Sequence, residues 1–571
     1  DGRVVWGERG GAIVVQVGCY PKRIDAVEAA LFREIDRFRR ERMSDAELQR
    51  ARNIFELRFV RSVETIEGEA ESLATFEQAT DDPGARAAFA ERVRALGAAD
   101  VQTAAVRLLA SNMAVVDELL PFDAPDRTFT AAAFADTVRA WAPGSSDAVD
   151  PSSVRAAEPA ATVAEGSRRR QREETGEAVL LPVPVGVRDF STLNGPKAFV
   201  REDQSRPILS IGFYFPAGRA SEAADERGIT VLMLRAMLEG SRARPGDKVL
   251  KDLEQLGAEA HAFAGPDYFG IVVDVVSRNA DLAMDIAIEA IEHPTFAKEP
   301  VARARDALLL DQRAARASAG LRSVELFWQN RFPTHAYGAP ELGLPDAVAR
   351  LTDEKLKAWY ARSIASQYPL AGIVGDTDGS SLVSRHLTDS FDRPEGEPTQ
   401  SAVLPPPNVT GESVDMTRRN LTVQTLGFPC PGSKWPALDA LDVVGAACGA
   451  IVERRRLGGA LRTTIDSAVG DESRDRDRAL ASMSRVVTTD LADDELSAAR
   501  TAAAVTYYRR GQTFDAMALL YVDAAAGGTP LDSVETYGDR IRAITAGDVR
   551  RTAAAVMIPA TGGRGIVRGQ P

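Results

Sequence analysis

Apolar positions in the first quarter of the chain follow two different periods. The run GAIVVQVGCY (11–20) is β-branched and strand-like. In the stretch after it, apolar residues recur at helical spacing: Val27, Leu31, Ile35 and Phe38. Ala-, Arg- and Leu-rich helical sequence follows, and NMAVVDELLP (112–121) again has the pattern of a strand. The pattern predicts a first α/β module over residues 1–125.

Two stretches have no apolar period and therefore predict linkers. Residues 143–180 are rich in Ser, Ala, Pro and charge, and the segment FDRPEGEPTQSAVLPPPNVTGE within 388–418 contains five prolines. We place the linkers at 126–185 and 388–418, and we expect 143–180 to be mobile and protease-sensitive. The modules they separate are 1–125, 186–387 and 419–571.

The second and third modules also combine strands with helices. Strand-like runs ILSIGFYF (208–215) and IVVDVV (271–276) alternate with the helical NADLAMDIAIEAIE (279–292). The last module extends from the strand-like LTVQTLGF (421–428) to RGIVRG (564–569). The alternation indicates an α/β or α+β architecture.

An internal repeat relates the first and last modules. MSDAELQRARN (43–53) matches LADDELSAART (491–501), and ERVRALGAADV (91–101) matches DRIRAITAGDV (539–549), both at an offset of 448 residues. A constant offset over two windows predicts that 419–571 repeats 1–125. LTDEKL (351–356) is a weaker echo of 544–549 and favours a third related copy in 186–387.

Length and charge exclude several classes of protein. The chain has 571 residues, which indicates three or four domains, and a formal net charge of −13. No global positive field attracts nucleic acid; SRRRQR (167–172), flanked by acidic residues, is interpreted as solvated linker, with a basic patch as the alternative. Because no uncharged apolar run approaches about 18 residues, we expect no transmembrane segment.

The four histidines are not spaced as metal ligands. None of His261, His293, His335 and His386 has another histidine three to five residues away, so a histidine-based metal site is not expected from spacing. Structural roles are expected instead: a loop cap for His335, a helix end for His293 and a strand position for His261.

Short motifs in the middle module resemble one family in order and spacing. They are LNG (193–195), FPAGRASEAADERGIT (215–230), MLEGS (237–241), LEQLGAEAHAF (253–263), HPTF (293–296), HAYG (335–338) and IVGDTD (373–378). With the repeat, they are similar to the insulinase/pitrilysin zinc metallopeptidases, or inverzincins. The resemblance implies an α+β fold of repeated α/β modules, with mixed, largely antiparallel sheets flanked by helices that enclose a chamber.

The family's zinc motif is degenerate here. Where active relatives have H-x-x-E-H, this chain has Val231, Leu234 and Arg235, and Asp311 lies where the distal glutamate ligand is expected. One carboxylate does not hold zinc alone, so the resemblance implies no metal and no catalytic residue in this chain. Val231, Leu232 and Leu234 are expected in the core.

The chain resembles the non-catalytic second half of two-half members, preceded by the latter module of a first half. In active members that half supplies an Arg and, seven residues later, a Tyr that contact the substrate. Arg462 matches the arginine, whereas Val469 occupies the tyrosine position. Substrate binding by Arg462 is thus implied by the resemblance, with a purely local salt bridge as the alternative.

The resemblance implies a chain that encloses an extended peptide for a zinc-bearing module elsewhere and is inactive alone. That module is expected just upstream of Asp1 or on another chain of about 200 residues, burying more than about 2,000 Å². The alternative is an inactive structural subunit, like the core subunits of respiratory cytochrome complexes; a stand-alone peptide-binding module is a third possibility. A periplasmic or secreted location is a family-level expectation, and the substrate is left open.

Overall fold

The computed structural model describes residues 2–7, 10–110, 114–120, 186–191, 195–388, 390–392, 394–399 and 411–570, with scattered positions between 132 and 140 and residue 405. Most of the predicted linker 126–185, including the stretch 143–180, lies outside the described residues, as does much of 400–410. The chain divides into two compact units, Asp1–Val183 and Pro184–Pro571, which are described separately.

The first unit combines a hairpin with helices. Strands β1 (Gly2–Gly7) and β2 (Gly10–Val15) pair in antiparallel register. The helices are α1 (Ile24–Arg40), α2 (Asp45–Arg61), α3 (Ile66–Thr80), α4 (Arg86–Ala95) and α5 (Ala98–Leu108). Helix α2 begins where it does because Ser44 and Glu47 form a reciprocal capping box.

The strand predicted over 112–121 is wrong for the residues that can be compared. Residues 114–120 have no regular secondary structure, and Val115 and Leu119 are 86% and 100% exposed. In the described part of this unit the two-stranded hairpin is the whole sheet, and residues 114–120 do not pair with it.

The second unit contains two sheets. The first has the order β3-β4-β8-β5-β7-β6, in which β4 and β8 are parallel and the other pairs are antiparallel. Its strands are β3 (Arg188–Ser191), β4 (Lys197–Glu202), β5 (Ile208–Pro216), β6 (Ala258–Ala264), β7 (Tyr268–Val276) and β8 (Leu370–Gly375). Its centre is the core of the middle module, since every residue of β7 is buried.

Helices of the middle module surround this sheet. They are α6 (Ile229–Leu238), α7 (Lys248–Gln255), α8 (Ala280–Glu292), α9 (Lys298–Ala317), α10 (Ala319–Arg331), α11 (Pro345–Val348), α12 (Asp353–Ser363) and α13 (Gly379–His386).

The second sheet has the order β11-β12-β10-β13-β9, in which only β13 and β9 are parallel. Its strands are β9 (Gly411–Thr417), β10 (Thr422–Pro431), β11 (Ile451–Glu453), β12 (Gly458–Ser467) and β13 (Gly563–Gly569). Its helices are α14 (Leu438–Cys448), α15 (Glu472–Thr488), α16 (Asp493–Arg509), α17 (Phe514–Gly527), α18 (Tyr537–Ala543) and α19 (Ala546–Val556). Both sheets match the expected mixed, largely antiparallel type.

The two modules of this unit exchange helices. Helix α10 of the middle module packs on β13, β10 and β9, whereas α17 of the last module packs on β8 and β5. The contact at α10 is close enough to require glycine at Gly565, where a Cβ would come within 2.1 Å of the Ser323 carbonyl oxygen. The two modules therefore form one interlocked unit.

The 448-residue offset also appears in the structure. Helices α1, α2 and α5 begin at Ile24, Asp45 and Ala98, and α15, α16 and α19 begin 448 residues later at Glu472, Asp493 and Ala546. A side-chain contact recurs as well: Arg52 donates to the Leu96 carbonyl (2.5 Å), and Arg500 Nε donates to the Ile544 carbonyl (2.8 Å). The two segments share helix boundaries and the contact that joins two of their helices.

Candidate functional site

The helix with the degenerate motif is held at its start by a distant carboxylate. Helix α6 has Gly228 at its N-cap, which offers no side chain to accept from the first-turn amides. Glu222 replaces it: Oε2 accepts from Gly228 N (2.9 Å) and Oε1 from Thr230 N (3.1 Å). Burial raises the pKa of the Glu222 carboxyl, and the two amide hydrogen bonds act in the opposite direction.

The motif positions themselves belong mainly to the core. Val231 is 6% exposed, and Leu232 and Leu234 are fully buried, as expected from the sequence. Helix α6 packs against α9, α12 and β6, which bury these side chains. Two of the three positions that hold His and Glu in H-x-x-E-H therefore fill space between helices and sheet.

The third motif position, Arg235, forms an ion pair with Asp311, which lies at the position of the family's distal ligand. Arg235 on α6 and Asp311 on α9 lie 2.7 Å apart, with their side chains 28% and 50% exposed. The fold thus places the motif position on α6 beside the distal-ligand position on α9. Here these two positions supply a guanidinium and one carboxylate. A guanidinium is always charged and has no lone pair to offer a metal ion.

Arg462 lies on β12 in a charged network. Its Nε donates to Glu453 Oε2 (2.9 Å), and Glu453 also accepts from Arg455 Nη2 (2.5 Å) and Trp328 Nε1 (3.1 Å). Burial alone would raise the pKa of Glu453, but Arg455 and Arg462 outweigh it and lower that pKa to about 2. Arg462 is therefore ion-paired and 16% exposed; its contact with substrate stays a prediction.

The HAYG motif joins the two modules. Tyr337 Oη donates to Asp267 Oδ1, and the other oxygen of Asp267 accepts from Arg456 N (2.7 Å). Leu457 N donates to Tyr337 Oη (3.2 Å), and Arg455 Nη1 donates to the Tyr337 carbonyl (3.0 Å). The sequence pattern did not indicate this network, since its members lie between 70 and 189 residues apart.

The histidines occupy the structural positions expected of them. His335 Nδ1 accepts from Tyr337 N (3.1 Å), His293 is the C-cap of α8 and His261 lies on β6. His386, for which no role was predicted, places its two ring nitrogens 2.6 and 2.8 Å from Asp281 and Asp285.

Strand β6 is an edge strand. It pairs with β7 on one side, and no other strand of the described sheet lies on its outer side. The Ala264 carbonyl at the end of this strand accepts from Arg219 Nε (2.9 Å). The rest of the outer edge has no strand partner among the described residues, which is the arrangement that an added extended segment requires. Helix α6 packs against this same strand.

Comparison with known proteins identifies the middle module. The profile of the family Insulinase (Peptidase family M16) matches residues 197–338, which include β4 to β7, α6 and the HAYG motif. Residues 197–338 therefore form a domain of the insulinase type, peptidase family M16. This match and the fold class are those expected from the motifs.

Insulinase-family relatives resemble the chain over part of its length. An uncharacterized zinc protease of Mycobacterium leprae is 22% identical over 248 residues, covering 42% of this chain and 55% of that protein. Cytochrome b-c1 complex subunit 1 of Bos taurus is 20% identical over 271 residues, covering 45% and 55%. The chain spans about half the length of these curated relatives.

A solved structure gives the same fold. The inactive domain of an M16 peptidase from Pseudomonas fluorescens superposes with a TM-score of 0.59 at 16% identity, covering 68% of this chain and 98% of that one. The chain thus shares the fold of that M16 domain. None of its described helices is long and apolar enough to cross a lipid bilayer.

Proposed function

We propose that this chain is the non-catalytic part of an insulinase-like zinc metallopeptidase, which helps enclose an extended peptide for a zinc-bearing module outside these residues. The observation that carries the proposal is the Arg235–Asp311 ion pair beside the buried Val231 and Leu234. Catalytic zinc takes three protein ligands and an activated water. These four positions supply one carboxylate, so we propose that the motif binds no cofactor and that zinc is held by the partner module. We therefore propose that this chain alone does not hydrolyse peptides.

Peptide binding is proposed at the open edge of β6. An extended peptide adds to an unpaired strand through main-chain hydrogen bonds, and pockets for alternate side chains then give selectivity. The edge of Ala258–Ala264 offers such groups next to the helix with the degenerate motif.

A proline scan of β6 tests this directly. Successive residues of an edge strand direct their N–H groups alternately inward and outward, so Glu259 and Phe263 differ in direction from Ala260 and Ala262. Where the N–H groups point outward, proline should abolish binding of a fluorescent extended peptide while the fold persists. Where the N–H groups point toward β7, proline removes ladder hydrogen bonds and should destabilise the sheet. Unchanged peptide binding in all variants that fold would refute binding at this edge.

The role of Arg462 is tested separately with a matched arginine. Arg462→Ala should weaken peptide binding at least about tenfold if the guanidinium contacts the bound peptide, since hydrogen bonds to charged groups contribute about 1.5–3 kcal/mol. Arg485→Ala is the control, because Arg485 lies in the same module and pairs with Glu495 at 2.9 Å on the surface. Equal affinities of both variants would leave Arg462 with its local ion pair alone.

A partner of the same family is proposed to cover the first unit. Val4, Ile13 and Val15 of the hairpin are 45–53% exposed and share one face in the β1–β2 register. Clustered exposed apolar residues mark interaction surfaces. We propose as partner a zinc-bearing M16 module of about 200 residues with H-x-x-E-H, burying more than about 2,000 Å² as obligate interfaces do. Native mass spectrometry of the complex from its source, with peptide identification of each component, tests this.

A structural subunit of a larger complex is the second candidate. It is favoured by the similarity to cytochrome b-c1 complex subunit 1, which covers 45% of this chain. If every protein that co-purifies with the chain lacks H-x-x-E-H, and the chain shows no measurable peptide binding, the structural-subunit proposal replaces the protease proposal.

A further inference from the structure

A cluster of three potential metal ligands lies where the two modules of the second unit cross. His261 is on β6, Asp274 on β7 and Asp515 in the first turn of α17. Glu259 is directly opposite Asp274 in the β6–β7 register, so His261, two residues further, lies on the same sheet face as Asp274. Helix α17 packs on this sheet and brings Asp515 from the other module.

The distances leave room for an ion between the three side chains. His261 Nδ1 is 3.8 Å from Asp274 Oδ2, and His261 Nε2 is 3.8 Å from Asp515 Oδ2, both too long for hydrogen bonds. One ligand atom from each residue lies within 4.8 Å of the others. In tetrahedral zinc geometry, two ligand atoms at about 2.0–2.2 Å from the ion are about 3.3–3.6 Å apart. The His261 side chain is 44% exposed, so its ring can rotate toward this spacing when an ion binds.

His386 also lies between two carboxylates, but it is too close to them for an ion to fit between. Its nitrogens lie 2.6 and 2.8 Å from Asp281 and Asp285, within direct hydrogen-bonding distance. The group around His261 has the same composition, but its nitrogen–oxygen distances are longer. Among the described residues, it is the one group of three such side chains whose ligand atoms all lie within 4.8 Å of one another.

Buried hydroxyl groups beside the cluster are a second, independent observation. Tyr214, on β5, is 2% exposed, and its hydroxyl has no hydrogen-bond partner among the described residues. The Tyr214 hydroxyl lies over Gly212, since a Cβ added there would be 2.2 Å from it. Gly212 is opposite Val272, and Val272 is opposite His261, so the hydroxyl lies on the sheet face of the cluster. Ser210, opposite Asp274 in register, likewise has a buried hydroxyl without a partner in the described structure. Water bound to an ion would satisfy such groups.

We propose that His261, Asp274 and Asp515 bind one divalent transition-metal ion, of which Zn²⁺ is the best match. One imidazole nitrogen with two carboxylate oxygens is a donor set that zinc takes, whereas magnesium favours oxygen ligands alone. The ion would link the sheet of the middle module to helix α17 of the last one. Its role is structural, and the proposal is independent of peptide binding and of the degenerate motif.

The test uses the full chain without an affinity tag, freed of metal by a chelator and titrated with ZnCl₂ in a calorimeter. We expect one zinc ion per chain. His261→Ala and Asp515→Asn should each weaken binding at least about tenfold, because each removes one of three ligands. His386→Ala and Asp311→Asn are matched controls that should bind zinc like the unaltered chain.

Thermal unfolding supplies a second readout. Because an ion that binds only the folded state stabilises it, zinc should raise the Tm of the unaltered chain and of His386→Ala but not of Asp515→Asn. Asp515 lies at the first turn of a helix and is partly exposed, so this variant should fold even if His261→Ala does not. Absence of zinc binding, binding unchanged in both ligand variants, or equal binding of Mg²⁺ would overturn the proposal.

Discussion

Removing the carboxylate of Glu222 is the sharpest test of how the motif helix is held. Glu222→Ala deletes both acceptors that satisfy the amides of Gly228 and Thr230 at the start of α6. Gly228 has no side chain to take over, and the site is closed to solvent, since Glu222 is 6% exposed. The two amides therefore lose their partners without regaining water.

The expected cost follows from these contacts. An unsatisfied buried hydrogen-bonding group costs about 1–3 kcal/mol, so two such amides lower the free energy of unfolding by about 2–6 kcal/mol. Glu222→Gln keeps one acceptor oxygen and should cost about half as much. Glu226→Ala is the control in the same loop: Glu226 pairs with Arg362 at 2.7 Å on the surface, where such pairs contribute at most about 1 kcal/mol.

Urea denaturation at pH 7, followed by fluorescence of the buried Trp328 and Trp359, measures the three variants against the unaltered chain. Both tryptophans belong to the unit that contains α6. If Glu222→Ala falls within about 1 kcal/mol of Glu226→Ala, the carboxylate does not hold the helix and the capping argument fails.

Three further outcomes are expected. Leu234→Ala should lower the free energy of unfolding by about 2–5 kcal/mol in urea, whereas Leu282→Ala, at a residue 57% exposed, should cost less than about 0.5 kcal/mol; equal costs would contradict the core role of the motif position. A double-mutant cycle of Arg235→Ala and Asp311→Ala should give a coupling below about 1 kcal/mol, since both side chains are solvated; a coupling of several kcal/mol would refute a surface pair. The folded-state pKa of Glu453 is about 2, below its ordinary value of 4.5, so its stabilisation is present above pH 4.5 and lost as pH falls toward 2. The stability deficit of Glu453→Gln should shrink over that interval, and a deficit independent of pH would contradict the assignment.

The helices of the repeat were predictable because their limits are fixed by local chemistry. Ser44 with Glu47, and Thr545 with Asp548, form capping boxes that begin helices, and such pairs are visible in sequence. The degenerate motif was equally accessible, because the absence of His and Glu at three fixed positions needs no structure. The strand predicted at 112–121 failed over 114–120 because a strand depends on a partner, which its own sequence does not specify.

The site at the module crossing escaped prediction for a different reason. Spacing rules find ligands that lie on one helix or one loop, whereas His261, Asp274 and Asp515 come from two strands and a helix up to about 250 residues apart. The role of Glu222 was hidden similarly, since it lies six residues before Gly228, the N-cap residue of the helix that it caps. Helices α10 and α17 each pack on the sheet of the other module. The spacing of apolar residues within a helix shows which face is buried but does not show which sheet buries it.

The open edge of β6 has a consequence for how the protein behaves at high concentration. The same N–H and C=O groups that suit a peptide are equally accessible to the corresponding strand of another molecule, and unprotected edges promote aggregation. Ala258–Ala264 contains one acidic side chain, Glu259, which is of the kind that keeps such edges apart by repulsion. Neutralising Glu259 is therefore expected to increase edge-to-edge association of the free chain, and a bound peptide would protect against that association.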